Sequence, residues 1–425
     1  MSEPAANPAA ESGADPKWSD DAFLDRLRAS TDDDANETVA HLKVHGDDLP
    51  TVNRMLRSLR SMNQDLPVDA PPPFRDFMDR HRQACDSCQI DHEIVARGGR
   101  TFFHWAYPAA VVMLASSLPS GYSAPALSRV LTISDDLAVH PYRRLLAVIQ
   151  MLINISCPSD EGDHPDAETS ALKLRLLHAG VRLLVPANRP DYIEKYGKPV
   201  NHEDMLATIM GFSLLVLDGV RTLGFEIEDG DADAFWQMWR HFARLMGIVP
   251  DGDFDNDDFV PTTLADAHAF YESYQRRWFC HSPEENPDGV MLTERNRQMM
   301  LDLIPWPLRI IGLGRAPDIL MTDLLGAEGL ARLGMQPLVG HRFDHAILHF
   351  LLKFGQDVSE VGDHFSSLFA ATILKGMVKR GMGKVRFSVP GSVEALHQMA
   401  EPQRMTTQQI NMKELEEHMK RKAQS

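Results

Sequence analysis

Residues 172–184 read LKLRLLHAGVRLL, and the period of this stretch decides the fold class. At about 100° per residue, Arg175, His178 and Arg182 share one helical stripe, at i, i+3 and i+7. Leu174, Leu177, Val181 and Leu184 repeat on the adjacent stripe, which predicts a wall facing a core. A histidine held between two arginines beside an apolar wall has two readings. One is a solvated basic face with an incidental histidine. The other is a metal-ligating imidazole. Two nearby guanidinium charges disfavour imidazolium, which suits a ligand, and rigid guanidinium forks match carboxylates such as haem propionates. Spacing alone leaves both open.

The composition narrows the classes. At 425 residues the chain can bury a large core and could hold two or three domains by length. A formal charge of −17, with no long basic run, argues against a nucleic-acid partner. The N-terminus lacks a basic region followed by an apolar stretch, so neither a secretory nor a twin-arginine signal is expected. The longest apolar run, Met205–Leu217, is interrupted by Thr208, Gly211 and Ser213 and is too short to span a bilayer. Four cysteines make no disulfide framework. A cytoplasmic protein without a transmembrane segment is the expectation.

Along the chain, residues 1–18 are rich in Ala, Pro, Ser and acids and predict a disordered tail. Ser19 and the following acids cap a short helix through AFLDRL, TDDDANET (31–38) reads as a polar loop, and PVDAPPPF (67–74) as a stiff connector. Helical periods then run over 74–96, 101–117, 137–155, 167–185, 202–223, 231–247, 262–279, 338–356 and 358–379, with LPSGYSAP (118–125) as a break. Only 385–389 alternates like a strand. The expected architecture is all-α: a loosely attached segment over 1–50, one large helical domain over 51–400, and a C-terminal amphipathic helix over 401–425 that packs on the domain or serves association, a homodimer included.

Other constellations carry less. Asn201 suits an N-cap, with Glu203 and Asp204 in the first turn, and the apolar helix that follows, with Thr208 and Ser213, could line a greasy pocket. His81, Cys85, Cys88 and His92 match a zinc spacing, but on one continuous helix they would spread over about 16 Å. His341, His345 and His349 repeat at four without a third ligand type, and Glu394-x-x-His397 is half of a di-iron motif with no second copy. The acid-rich loop 251–258 lacks the calcium-loop order. GLGRAP (312–317) and GMGK (381–384) match no phosphate-binding fingerprint, and no hydrolase motif is present.

Four stretches taken together point further: FFHWAYPAAVVMLASSLPSGYSAP (102–125), RRLLAVIQMLINISCP (143–158), KLRLLHAGVR (173–182) and VNHEDMLATIMGFS (200–213), followed by the segment Trp239–Pro250. They resemble the MpaB-like oxygenases, the haem-b family that includes latex-clearing protein, the rubber oxygenase. The resemblance spans about 98–270 and, more loosely, 305–354. It implies an all-α domain enclosing haem b between helices. By resemblance His178 is the proximal iron ligand, Arg175 and Arg182 are the flanking arginines that meet the cofactor, and Arg144 is the distal-side arginine that would carry catalysis. Rubber oxygenases place a lysine and a threonine three and four residues after that arginine, whereas this chain has Ala147 and Val148. No equivalent of their distal glutamate is found. The resemblance therefore implies an oxygenase that uses dioxygen on the C=C bond of a smaller hydrophobic, isoprenoid-like molecule, reached through an apolar channel lined from 102–117 and 205–217. The alternatives are a haem sensor or carrier, a peroxidase-like protein, and a helical scaffold without a cofactor.

Overall fold

The computed structural model describes residues 13–44, 48–133, 141–156, 166–256, 258–304, 309 and 313–338. Every α-helix or strand element among them is helical. In chain order the helices are α1 Asp21–Ala29, α2 Asp33–Val44, α3 Asp48–Ser58, α4 Pro72–Ser87, α5 His92–His104, α6 Ala106–Val112, α7 Leu118–Tyr122, α8 Pro125–Ile133, α9 Pro141–Ser156, α10 Ala167–Asn188, α11 Pro190–Tyr196, α12 His202–Phe212, α13 Leu214–Thr222, α14 Asp229–Leu245, α15 Leu264–Trp278, α16 Pro287–Leu303 and α17 Ala316–Arg332. The all-α expectation holds. The helices expected over 338–356, 358–379 and 406–421, the strand at 385–389, the histidines at 341, 345 and 349, Glu394 with His397, and GMGK lie outside the described residues.

The N-terminal expectations are corrected. Residues 16–19 form a 3₁₀ turn instead of a disordered tail. Trp18 is 1% exposed, edge-on to Phe23 at 5.3 Å and to Phe270 at 6.0 Å. The Asp15 backbone N–H donates to Asp266 Oδ1 at 2.8 Å, which ties the segment to the capping box of α15. The stretch read as a polar loop is the start of α2. Asp32 Oδ1 accepts from the Ala35 N–H at 3.2 Å, and Ala35, Thr38, Val39 and Leu42 form its buried face at helical spacing. Leu24 and Leu27 of α1 enter the main core, and α2 enters a second core beside α3, α4 and α10. Residues 13–44 are therefore packed structure and not a loose attachment.

Two other boundaries move. The charged helix expected over 74–96 is broken at Cys88, and Asp91 Oδ1 caps α5 by accepting from the Glu93 and Ile94 N–H groups. The zinc-like spacing thus straddles a corner, and its members serve separate contacts: His81 joins a polar network described below, and the Cys88 thiol lies 3.9 Å from the Phe254 carbonyl oxygen. The expected break at 118–125 is helical instead. A π-turn over Met113–Ser117 carries α6 into α7, and the chain turns only at Ser123 and Ala124. The run 202–222 is long and apolar enough to cross a membrane, but 67% of its most apolar stretch is buried inside the protein and Ser213 breaks it. Its hydroxyls satisfy their own helix: Thr208 Oγ1 donates to the Asp204 carbonyl and Ser213 Oγ to that of Ile209.

Close backbone approach at α5 positions the helices that matter below. A Cβ on Gly98 would stand 2.4 Å from the Ala234 carbonyl oxygen of α14, and one on Gly99 would stand 2.2 Å from that of Ser156 in α9. Both opposing atoms are backbone and cannot swing away, so the glycine pair sets how tightly α9 and α14 clamp α5. Gly99→Ala is expected to lower unfolding free energy by about 1–3 kcal/mol, seen as a reduced urea midpoint at unchanged slope. An unchanged midpoint would show that α9 can recede freely.

Candidate functional site

Helix α10 begins at a side-chain cap, Asp166 Oδ1 accepting from the Thr169 N–H at 2.7 Å. From there it is enclosed. Leu172, Leu176 and Ala179 are fully buried against α2–α4, Ala171 belongs to the main core, and Val181 and Val185 pack with Tyr192 of α11. Between Thr169 and Arg182 every residue is buried except Leu174, Leu177 and His178, which are half-buried. The leucine stripe expected to face the core is therefore partly the open side. This middle stretch of the helix presents one window, made of an imidazole and two leucines, in an otherwise buried surface.

The two arginines turn inward. Arg175 is 3% exposed and grips Asp32 bidentately, Nε to Oδ2 at 2.6 Å and Nη2 to Oδ1 at 2.9 Å. Its Nη1 lies 2.9 Å from His81 Nδ1. A guanidinium only donates, so Nδ1 must accept and the His81 proton sits on Nε2, which donates to the Glu168 carbonyl at 3.0 Å. Arg182 donates from Nε to Asn36 Oδ1 at 2.6 Å and from Nη1 to the Val200 carbonyl at 3.2 Å. Val200 adopts φ of +50°, a left-handed backbone that a β-branched residue rarely takes, and its carbonyl is a partner of this guanidinium. Gly247 closes the other side: a Cβ there would lie 3.1 Å from Asp32 Oδ2 and 3.3 Å from Arg175 Nε.

These contacts correct the expectation that Arg175 and Arg182 meet an acidic cofactor. Asp32 and Asn36 already take the donors that propionates would need, and both guanidinium groups are buried. What the arginines do here is brace α10 against α2. Burial works against the Asp32 carboxylate, but the Arg175 charge and hydrogen bonds, helped by Arg182, hold it well below the usual carboxylate range. Burial, then the Arg175 charge, lowers His81 to about 3, and burial lowers His202 to about 4. The network is charged at the Arg175–Asp32 pair and neutral at His81.

A second buried network fixes α12. Asn201 Oδ1 accepts from the Asp204 N–H at 2.9 Å, as its capping position predicts. Glu203 and Asp204 are more than first-turn acids: Arg28 Nη1 lies 3.1 Å from Glu203 Oε2 and 3.0 Å from Asp204 Oδ1, and Arg28 stacks 3.6 Å over Trp278. Tyr274 donates to Asp204 Oδ1 at 2.8 Å, and Arg277 Nε reaches Glu203 Oε1 at 3.2 Å.

Helix α9 packs beside α10 and carries Arg144 in its first turns. The side chains of Arg144 and Ala147 lie outside the described residues. Val148, next on the helix, is 6% exposed and apolar. Val130 and Ile133 of α8 are half-buried beside Val181 and Val185, one turn beyond His178. Val111, Leu114 and Leu215, from the stretches expected to line a channel, are also half-buried against the main core. The structure thus brings His178 and both arginines onto one helix with Arg144 on its neighbour. Sequence reasoning missed Asp32 and Asn36, and gave His81 only as a member of a zinc-like spacing. The buried-face spacing of α2 could have revealed its helix, but no local signal pairs Asp32 with a residue 143 positions away.

Haem fits this place in part. Imidazole is the right donor for haem iron, and the half-open leucines beside it suit a porphyrin face. The arginines do not fit as its anion partners. Among the described residues no three His, Cys, Asp or Glu gather as a metal site, whereas haem iron asks the protein for a single histidine.

Residues 95–354 match the family described as ER-bound oxygenase mpaB/B'/rubber oxygenase, catalytic domain. The rubber oxygenase of Streptomyces sp. (strain K30) is 25% identical over 269 residues, which are 62% of this chain and 61% of that protein's length. The fold is similar to latex clearing protein in its closed state, with a TM-score of 0.62 and 20% identity over 83% of this chain and 91% of that one.

Two outcomes test the brace. Asp32→Ala strands a buried guanidinium and is expected to cost about 3–5 kcal/mol of stability; adding Arg175→Leu should recover much of it, and equal losses in the single and double variants would refute the pairing. His81 and His202 have folded-state values below the unfolded value of about 6.5, so the unfolded chain binds more protons across that interval. Stability should therefore fall as pH drops below about 6.5, with a shallower fall in His81→Gln; a urea midpoint flat from pH 7 to 5 would contradict this.

Proposed function

Because the chain belongs to the ER-bound oxygenase mpaB/B'/rubber oxygenase catalytic-domain family, we propose that it is a haem-b-dependent oxygenase acting on the C=C bond of a hydrophobic, isoprenoid-like small molecule. The observation that carries this reading is the window on α10, where a half-buried His178 sits beside the half-buried Leu174 and Leu177 in a stretch, Thr169 to Arg182, that is otherwise buried. When bound, haem supplies the dioxygen chemistry that protein side chains lack. His178 would hold its iron through one imidazole nitrogen. The contacts around α10, with Asp32, Asn36 and His81 on one side and Val130 and Ile133 on another, hold the helix that carries His178 in place. Leu174 and Leu177 would shed water from the cofactor's edge.

Arg144 would work from α9. An arginine does not lose its proton in proteins, so its contribution is a fixed positive charge that meets dioxygen or orients substrate, not acid–base exchange. Ala147 and Val148 add no proton donor beside it. The half-buried Val111, Leu114 and Leu215 offer apolar surface for an unsaturated hydrocarbon. The chain aligns with 61% of the rubber oxygenase's length. The positions where that subgroup has lysine and threonine are apolar here, which favours a smaller substrate than rubber. The same apolar pair supports a second reading, a haem-binding sensor or carrier without turnover.

The deciding experiment is the absorption spectrum of protein from haem-supplemented cells beside His178→Ala. The expected result is a strong haem band in the wild type that is lost or shifted in the variant; well-folded protein that takes up no haem would end both haem readings and leave a scaffold. Arg144→Leu is expected to keep its haem while oxygen consumption with an unsaturated isoprenoid falls about 10²-fold or more. Full haem occupancy in the wild type without oxygen uptake, in the presence of reductant and isoprenoids, would favour the sensor.

A further inference from the structure

Asp32 precedes the family-matched residues 95–354, yet it supplies the counter-charge for the arginine one turn before His178. Residues three apart on a helix have Cβ atoms about 5–6 Å apart, so whatever charge stands at Arg175 is felt at His178. Both side chains of the pair are 4% exposed, out of reach of solvent screening. His81 presents a neutral ring to the pair, and Asn36 presents a neutral amide to Arg182. The formal charge of the cluster therefore rests on two guanidinium groups and the Asp32 carboxylate, with Asp34 Oδ2 at 3.6 Å from Arg175 on the more open side. Gly247 leaves the carboxylate the room to sit there.

We propose that Asp32 is a positioning residue for the iron site, holding α10 in place and setting the charge beside His178, so that the N-terminal segment is part of the working domain. This rests on His178 binding haem iron. An uncompensated guanidinium near the iron disfavours the more positive oxidised state, and an added carboxylate favours it.

The experiment is the midpoint potential of the haem-loaded full-length protein, with haem content and thermal unfolding recorded alongside. Asp32→Asn is expected to shift the potential positive, and Asp32→Asn with Arg175→Gln to bring it back towards wild type. Asn36→Asp keeps the acceptor that Arg182 needs, sits at a half-buried position, and should shift the potential negative. This opposite sign is one a purely structural role would not give, and it carries the test alone if Asp32→Asn fails to fold. A haem-loaded Asp32→Asn with the wild-type potential, or a positive shift in Asn36→Asp, overturns the proposal while leaving haem binding intact. Wild-type protein that takes up no haem overturns the function above and this inference with it.

Discussion

A guanidinium buried in the middle of a protein must find a carboxylate or destabilise the fold, and much of this structure follows from how Arg175 meets that requirement. Its partner comes from the start of α2, far away in sequence. To deliver Asp32 the chain has to wrap α1 and α2 over the domain, and that wrapping gives α10 an apolar neighbour for Leu172, Leu176 and Ala179. The ion pair and the apolar contact reinforce each other: burial makes the pairing obligatory, and the pairing fixes the register of the buried surface. Within its buried stretch, Thr169 to Arg182, the helix leaves only Leu174, Leu177 and His178 half-open.

The same logic operates at α12. Glu203 and Asp204 are withdrawn from water and become tolerable because Arg28, Arg277 and Tyr274 converge on them. Arg28 comes from α1, so both buried networks are closed by the N-terminal segment. The glycine pair of α5 does comparable work with sterics alone, setting the backbone approach to α9 and α14. Charge and close packing thus fix the helices around the window from different directions.

The helical class, most helix positions and the His178 stripe were legible in the sequence, because period and capping are local properties. Asn201 was legible for the same reason. The roles of Arg175 and Arg182 were not, since a guanidinium looks the same whether its carboxylate belongs to a ligand or to a residue elsewhere in the chain. TDDDANET reads as a loop because three acids dominate its start, although the buried face of α2 already shows in the spacing of Ala35, Thr38, Val39 and Leu42. The break at Cys88 is set by the Asp91 cap, and the continuity through 113–117 by a π-turn, which no propensity marks.

The long separation of the N-terminal contacts has a consequence for biosynthesis. Asp32 is made 143 residues before Arg175, and Asp15 is made 251 residues before Asp266. At ribosomal rates of about 5–20 residues per second, the first gap alone lasts on the order of 7–30 s. Through that interval the nascent chain carries Trp18, Leu24 and Leu27 without α12 and α15, and Val39 and Leu42 without α10. A segment made well before its partners is sealed only after them, so translation speed and the chaperones that hold an exposed amphipathic segment bear directly on how much native protein a cell obtains.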